Sequence, residues 1–282
     1  MTEPTAEQDA CLTMLRETDR DRYLACLLAP QDKRPALAAL YAFNAEIARI
    51  RDLVREPLPG EVRMQWWRDL LEGNPHGESL ANPVAASLLN AIATHSLPRQ
   101  TLINMIEARV FDLYDDVFED RNALEGYAGE TASALIQLAS IVLSSDDAKT
   151  SAEAAGHAGV AQAMAGMLLL MPLHRRRGQV YVPLDMLSAA GLDRETFLEG
   201  KDVAKITVAI EIFSGHALSH LEKARKVQIP KTVFPAFLPV SLAGRVIANA
   251  RRAGAGLFEK DIQPSQLARQ WQLAKASFSK RF

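Results

Sequence analysis

Apolar residues recur along most of this chain at intervals of three and four, which is the spacing of one face of an α-helix. Prolines and glycines interrupt the pattern and mark the helix ends. The pattern predicts helices over residues 5–29, 35–54, 61–73, 83–95, 98–120, 122–144, 152–171, 202–227, 231–253 and 264–282, with two short helical turns between residues 184 and 200. Because no stretch alternates with the period of a strand, we predict an all-α protein. A loop is expected over residues 74–83, a polar turn over 145–151 and an extended piece over 172–183.

Two of these helices are predicted to lie at the centre of the molecule. Residues 35–54 carry apolar side chains at helical spacing, and Pro35 falls in the first turn, where a missing N–H costs nothing. Residues 152–171 are apolar almost all round, which is typical of a buried helix. The longest apolar run of the chain, residues 158–173, is too short to span a bilayer. We therefore interpret it as a core helix, with Gly166 at a close helix crossing.

Composition is consistent with one helical domain over residues 1–282. The chain is 48% hydrophobic and 23% charged, which is enough to build a sizeable core. Its two cysteines, Cys11 and Cys26, make neither a disulfide framework nor a metal-binding spacing. The N-terminus is polar and acidic, so we expect no signal peptide and a cytoplasmic protein.

Charge is distributed unevenly along the chain. The net charge is -2, yet residues 223–282 carry 12 Lys and Arg against only Glu259 and Asp261. The last helix adds an apolar stripe at helical spacing, formed by Leu267, Trp271, Ala274 and Phe278. Two interpretations stay open: Trp271 packs the helix onto the bundle, or a basic amphipathic helix rests on anionic lipid or an acidic partner, peripheral to the inner membrane.

Four stretches carry a resemblance, in the same order, to one known family. They are LLAPQDKRPALAALYAFNAEIARIRD, FDLYDD, LEGYAGETASAL and GVAQAMAGMLLLMPLHRRRGQVYVP. These four stretches resemble sequence motifs of the squalene/phytoene synthases. It more closely resembles their non-catalytic subgroup, which includes a mitochondrial assembly factor of respiratory complex I, through EARVFDL, EGYAGETASALIQL and HRRRGQVYVP. The resemblance implies an isoprenoid-synthase-type helical bundle.

The same resemblance directs attention to two missing clusters of aspartate. In the family, carboxylates on two facing helices hold Mg²⁺ ions that bridge the prenyl diphosphates. The first cluster falls here at Ala48, Arg49 and Asp52, of which only Asp52 is a carboxylate. The second falls within residues 166–172, which contain none. The sequence therefore predicts that both magnesium–diphosphate motifs are degraded.

Three functions follow as hypotheses. The first is a non-catalytic relative that binds a prenyl-like lipid or a protein partner, in the assembly of respiratory complex I, with no cofactor. The alternative is an active head-to-head prenyl transferase of isoprenoid biosynthesis, which condenses two prenyl diphosphates with Mg²⁺. The third is an interaction module without a pocket, whose core is filled by bulky side chains. No nucleic-acid motif is present, so no nucleic-acid partner is expected.

The resemblance also suggests which residues line a ligand pocket, although no catalytic residue is assigned. The pocket residues would be Arg34, Tyr41, Arg49, Asp52, Asp112, Gln162, Arg177 and Tyr181.

No metal site is expected, and two patterns are weak candidates. Asp112 and Asp116 are four residues apart on a predicted helix, as are His216 and His220. The aspartates are interpreted as a solvated helix end. The histidine spacing suits Zn²⁺, but the neighbouring sequence offers no third ligand, so we interpret them as surface or core histidines.

Overall fold

The computed structural model describes residues 6–74 and 81–282, and 79% of these described residues are helical. No strand occurs in these two ranges, so the all-α prediction is confirmed. The α-helices of the described ranges are α1 Ala6–Thr18, α2 Arg20–Leu27, α3 Arg34–Ala48, α4 Ile50–Leu53, α5 Pro57–Glu72, α6 Pro83–His95, α7 Arg99–Val110, α8 Arg121–Ala128, α9 Ala134–Leu143, α10 Ser145–Thr150, α11 Ala152–Arg176, α12 Leu184–Ala189, α13 Arg194–Glu199, α14 Val203–Lys226, α15 Phe234–Phe237, α16 Ala243–Ala253 and α17 Gln266–Ser279. Of the predicted loop at 74–83, residues 75–80 lie outside the described ranges.

The helices pack around α3, α11 and α14. Helix α3 packs against α1 and α6, while α11 packs along most of α14. Five buried alanines on α3 let its neighbours approach closely on several sides: Ala36, Ala38, Ala39, Ala42 and Ala45. A continuous cluster of buried apolar side chains extends from Cys11 to Ile262. One core therefore joins both ends of the chain, while the domain boundary at 1–282 stays a prediction.

Two predicted helices are each divided in the structure. The helix predicted at 5–29 breaks at Asp19, whose carboxylate accepts a hydrogen bond from the backbone N–H of Arg22 and caps α2. The helix predicted at 35–54 breaks at Arg49, which separates α3 from α4. An N-cap competes with helix continuation because it offers the backbone N–H another acceptor.

The chain between α7 and α8 differs most from the prediction. A helix was predicted to continue to residue 120, but α7 ends at Val110 and only a 3₁₀ turn, Phe111–Leu113, follows. Residues 115–118 have no regular structure. Asp112 and Asp116 are therefore not neighbours on a helix, and the spacing that made them candidate metal ligands does not exist.

Three smaller predictions are also wrong. The polar turn at 145–151 is a short helix, α10. The helix predicted at 231–253 is α15, a 3₁₀ turn Leu238–Leu242 and α16, because Pro239 removes a backbone donor. Helix α11 continues through Pro172 to Arg176, and its last carbonyls accept hydrogen bonds from the backbone N–H groups of residues 177–179.

Helix α11 is the central element, although its close crossing is not where the sequence placed it. A Cβ on Gly166 would meet no atom within 4 Å, whereas a Cβ on Gly159 would lie 2.3 Å from the backbone N of Ser133. Ser133 also donates to the Gly156 carbonyl at 2.8 Å. The crossing at Gly159 therefore brings α11 against the π-helical turn that precedes α9.

With 25 residues, α11 is the described helix that is long and apolar enough to cross a bilayer, contrary to the sequence estimate of its length. Yet 61% of its most apolar window is buried inside the protein. A core helix passes the same test of length and composition, so the interpretation of α11 as a core helix stands.

Gly159 and Gly166 of α11 make a matched pair of positions for substitution. Gly159→Ala should destabilise the protein by about 1–3 kcal/mol, because the added methyl group overlaps backbone atoms that cannot move away cheaply. Gly166→Ala should be neutral or stabilising by about 0.5–1 kcal/mol, because alanine is the better helix former and has space there. Urea unfolding of both variants measures the difference, and equal stabilities would contradict the crossing.

Candidate functional site

A buried carboxylate, Asp112, lies at the centre of the candidate site. It sits in the 3₁₀ turn after α7, one turn beyond Arg109. Arg109 Nη1 donates to Asp112 Oδ2 at 3.0 Å, and the Tyr127 hydroxyl lies 2.9 Å from both carboxylate oxygens. The Tyr181 hydroxyl donates to Oδ1 at 2.9 Å. Both oxygens of the carboxylate therefore have partners from the protein itself.

The charge of this carboxylate is balanced inside the cluster. Burial alone would lower the pKa of Arg109, but Tyr127 and Asp112 outweigh burial and raise it. Burial raises the pKa of the Tyr127 and Tyr181 hydroxyls, with a further contribution from the charge of Asp112. Both tyrosines therefore stay neutral donors, and Arg109 stays the cation that neutralises Asp112.

Aromatic rings close the cluster on its apolar side. Phe111 and Phe118 stack with their centroids 4.2 Å apart, and Tyr127 and Tyr181 lie against both. Hydrogen bonds are electrostatically stronger in such a low-dielectric environment than in water. The rings thus hold the four polar side chains in one arrangement.

The cluster continues toward the surface through the last turn of α11 and the residue that follows it. The His174 ring lies 4.5 Å from the Tyr181 ring, and Arg177 pairs with Asp52 of α4. Burial lowers the pKa of His174 to about 4, with a smaller opposing effect from Asp112. His174 is therefore a neutral side chain between the buried cluster and the exposed ion pair.

The structure brings together four of the eight predicted pocket residues: Asp52, Asp112, Arg177 and Tyr181. The other four have their contacts outside this hydrogen-bonded cluster. Arg34 donates to the Ala29 carbonyl at 3.0 Å, and Arg49 is exposed at the break between α3 and α4. Tyr41 is buried with Arg22 5.8 Å from its ring centroid, and Gln162 is half-buried on α11. Within the described ranges, no hydrogen bond or ion pair joins these four to Asp112.

Comparison with known proteins identifies the family of the chain. Residues 15–272 match the squalene/phytoene synthase family model. The chain belongs to the squalene/phytoene synthase family. The predicted resemblance and the isoprenoid-synthase-type fold are thereby confirmed.

Several relatives within this family are assembly factors. The chain is 31% identical over 274 residues to rat NADH dehydrogenase (ubiquinone) complex I, assembly factor 6, covering 96% of this chain and 82% of the relative. The human protein of that name is 31% identical over 255 residues, covering 90% and 76%. Phytoene synthase 1 of Arabidopsis thaliana chloroplasts is 27% identical over 206 residues, covering 68% and 47%.

Solved structures of the family share the fold at low sequence identity. A dehydrosqualene synthase superposes with a TM-score of 0.76 at 19% identity, covering 97% of this chain and 96% of that one. Squalene synthase HpnC from Alicyclobacillus acidocaldarius gives a TM-score of 0.72 at 18% identity, covering 88% and 94%. These similarities concern the fold alone.

The residues of this family member do not fit a magnesium–diphosphate site. Asp52, the one carboxylate at the first cluster position, is paired with Arg177. Where the second cluster would lie, Met167, Leu168 and Met171 are buried and supply no oxygen ligand. Hard cations such as Mg²⁺ require oxygen ligands. The side chains at these two positions therefore do not form the paired carboxylate clusters that magnesium ions require.

The cavity beside the cluster is small. Its volume is about 10 Å³, and it is lined by residues of α11, α13, α14 and segment 177–183, including Met171, His174, Tyr181 and Phe213. That is about the space that one water molecule needs, whereas ligand pockets usually measure about 300–1,000 Å³. A prenyl chain does not fit there.

Sequence reasoning missed three residues of the site: Arg109, Tyr127 and His174. Arg109 and Tyr127 lie within the EARVFDL and EGYAGET segments that carried the resemblance, so their signal was present but was not assigned to a site. Their convergence on one carboxylate depends on the unpredicted 3₁₀ turn at Phe111–Leu113.

The lowered pKa of His174 predicts a pH dependence of stability. The pKa is about 4 in the folded protein and about 6.5 in an unfolded chain. The unfolded chain therefore takes up a proton first as the pH falls. The contribution of His174 to the free energy of unfolding is fully present above pH 6.5. It should fall by up to roughly 3 kcal/mol between pH 6.5 and pH 4.

The His174→Gln variant removes this contribution and serves as the comparison. Chemical unfolding across pH 4–7 should show a shallower loss of stability in the variant, because other titrating groups cancel in the difference. Parallel curves for the two proteins would show that His174 does not contribute.

Proposed function

We propose that this protein is a non-catalytic squalene/phytoene synthase family member that acts in the assembly of respiratory complex I. The observation that carries the proposal is the state of Asp112, whose two oxygens are occupied by Arg109, Tyr127 and Tyr181. The buried methionines and leucine at the second cluster position add to it. Identity of 31% over nearly the whole chain to proteins named assembly factor 6 supports the same function.

A protein partner suits this site better than an enclosed prenyl lipid. The cavity beside Asp112 holds about one water molecule, and the ring stacking around it leaves the cluster rigid. An assembly factor acts by contact, for which a rigid scaffold is sufficient and no cofactor is needed. An active prenyl transferase would instead need oxygen ligands for Mg²⁺ at both cluster positions.

Complementation tests this function. In the organism that carries this chain, deleting its gene should lower the amount of assembled complex I on native gels, and the wild-type chain should restore it. Asp52→Asn should restore it equally well, because the Asp52–Arg177 pair is partly exposed and such pairs are worth about 0–1 kcal/mol. Asp146→Asn, at a fully solvated carboxylate on α10, is the matched control.

The transferase alternative predicts the opposite results. It requires Mg²⁺-dependent release of diphosphate from farnesyl or geranylgeranyl diphosphate, at about 1 per second or faster, and loss of that activity in Asp52→Asn. Arabidopsis phytoene synthase 1 is the positive control for the assay. Turnover at that rate, or normal complex I in the deletion strain, would overturn the proposal.

We further propose that α17 holds the protein against an anionic membrane surface. The helix docks onto the bundle through Leu273 and Ala276, which are buried against the α2 and α15 region. Its predicted apolar stripe faces outward instead: Leu267, Trp271 and Phe278 are 79%, 67% and 93% exposed. The interpretation that Trp271 packs the helix onto the bundle is therefore wrong.

Basic groups surround this exposed stripe. Lys275 lies 5.8 Å from the Trp271 ring centroid, and Lys280 and Arg281 follow at the end of the helix. A surface groove of about 210 Å³ lies beside the first turn of α17. It is lined by Arg16, Arg20, Asp21, Tyr23, Leu24, Gln266, Arg269 and Gln270. Apolar residues flanked by cations are what an anionic lipid surface attracts.

Vesicle flotation tests the membrane contact. The wild-type protein should float with vesicles that contain anionic lipid at low salt, and a Trp271→Ser, Phe278→Ser double variant should stay at the bottom. Both side chains are exposed, so the variant should unfold at the wild-type temperature. A deletion of α17 is unsuitable, because it would uncover the apolar side chains that Leu273 and Ala276 bury.

The control removes two exposed apolar side chains elsewhere. Val203 and Val208 on α14 are 63% and 47% exposed. The Val203→Ser, Val208→Ser variant should float as the wild type does. A wild-type protein that ignores anionic vesicles, or equal flotation of both double variants, would contradict the contact.

A further inference from the structure

Three histidines and a glutamate meet where α11 packs against α8 and α14. His216 and His220 lie on α14, His157 on α11 and Glu125 on α8. His216 Nε2 lies 2.9 Å from Glu125 Oε1, and His220 Nε2 lies 3.4 Å from the same oxygen. Glu125 thus supplies the third ligand that the sequence around the two histidines did not reveal.

Three donor atoms of this cluster converge on one small volume. One ligand atom each from Glu125, His216 and His220 lies within 4.8 Å of the other two. A tetrahedral metal ion with bonds of about 2.0–2.2 Å to nitrogen and oxygen holds its ligand atoms about 3.3–3.5 Å apart. The side chains therefore need only small movements to bind one ion.

The fourth residue of the cluster is placed to orient a ligand. His157 Nδ1 lies 3.1 Å from His220 Nδ1, and their ring centroids are 5.0 Å apart. Metal-bound histidines usually hydrogen-bond through their second ring nitrogen, which fixes the ring and directs the free lone pair at the metal. His157 occupies that position toward His220.

Burial also suits a metal site. The side chains of His220, His216 and Glu125 are 4%, 18% and 35% exposed, so the cluster is anchored in the core and open at the glutamate.

We propose that Glu125, His216 and His220 bind a zinc ion, with His157 as the residue that positions His220. Two histidines and one glutamate are a known protein ligand set for Zn²⁺, with water at the fourth position. Histidine and carboxylate without cysteine also suit Fe²⁺. Both histidines come from α14 and the glutamate comes from α8. Zinc is favoured over Fe²⁺ because Fe²⁺ is among the weakest binders of the first-row divalent metals at sites of nitrogen and oxygen ligands. This site is separate from Asp112 and does not depend on the proposed assembly function.

Equilibrium dialysis against Zn²⁺, followed by metal analysis, tests the proposal on the full chain. The wild-type protein should retain one zinc per chain and unfold at a higher temperature with Zn²⁺ than with a chelator. Co²⁺ in the same site should give the intense visible absorption of a tetrahedral ion. Glu125→Ala and His216→Ala should each weaken zinc binding by more than about 100-fold, the upper range for loss of an orienting partner.

Two further variants separate the roles of the residues. His157→Gln should weaken zinc binding by about 10–100-fold, as expected for an orienting residue, and keep the stoichiometry of one. His95→Gln, on α6 and outside the cluster, should bind as the wild type does. Glu125 lies at the surface, so Glu125→Ala stays informative if a histidine variant fails to fold.

Several outcomes would overturn the proposal. They are a wild-type protein that retains no zinc, zinc binding that survives in both Glu125→Ala and His216→Ala, and Fe²⁺ that displaces Zn²⁺ at equal concentration. If the cluster were only a set of hydrogen bonds, the variants would lower the unfolding temperature equally with and without Zn²⁺. A zinc-dependent difference that disappears with the ligands would support the site.

Discussion

The buried charge of Asp112 is the interaction on which the surrounding structure depends. Its partners come from the end of α7, from α8 and from the irregular segment 177–183. One carboxylate therefore joins α7 to a tyrosine 15 residues away and to another 69 residues away. Breaking a buried ion pair by removing one partner typically costs about 3–5 kcal/mol. Gln179 adds a hydrogen bond to the Asp112 carbonyl at 3.0 Å. Side chains thereby hold residues 179–183, which have no regular secondary structure, in place.

A second constraint is the approach of α11 to its neighbours. Gly159 lets the backbone of the π-helical turn at Gly129–Ser133 lie against α11, and the same helix carries His157 toward α14. The turn is continuous with α8, which carries Glu125 and Tyr127. One close crossing therefore places α8 so that it contributes both to the Asp112 cluster and to the histidine cluster.

Most helices could be predicted from the spacing of apolar residues, because a helix that packs on the core buries one face and therefore needs apolar side chains at that spacing. The helix boundaries could not be predicted in the same way. Some depend on a local contact, such as the Asp19 cap, and others on packing, as where α11 continues past Pro172. Within the site, resemblance supplied Asp112 and Tyr181. Glu125 and His216 are separated by 91 residues, so only the tertiary fold could bring them together.

Asp112 is present in this family member, whereas most carboxylates of the two cluster positions are absent, and the difference has a physical reason. Carboxylates that face each other across two helices repel unless a cation lies between them. Apolar side chains at such positions instead contribute about 1.5–3 kcal/mol each by burial, as the buried Met167, Leu168 and Met171 do. Asp112 carries its own cation in Arg109 and ties segments together. Its loss would leave a buried arginine unpaired, so the fold itself retains this carboxylate whether or not any chemistry takes place beside it.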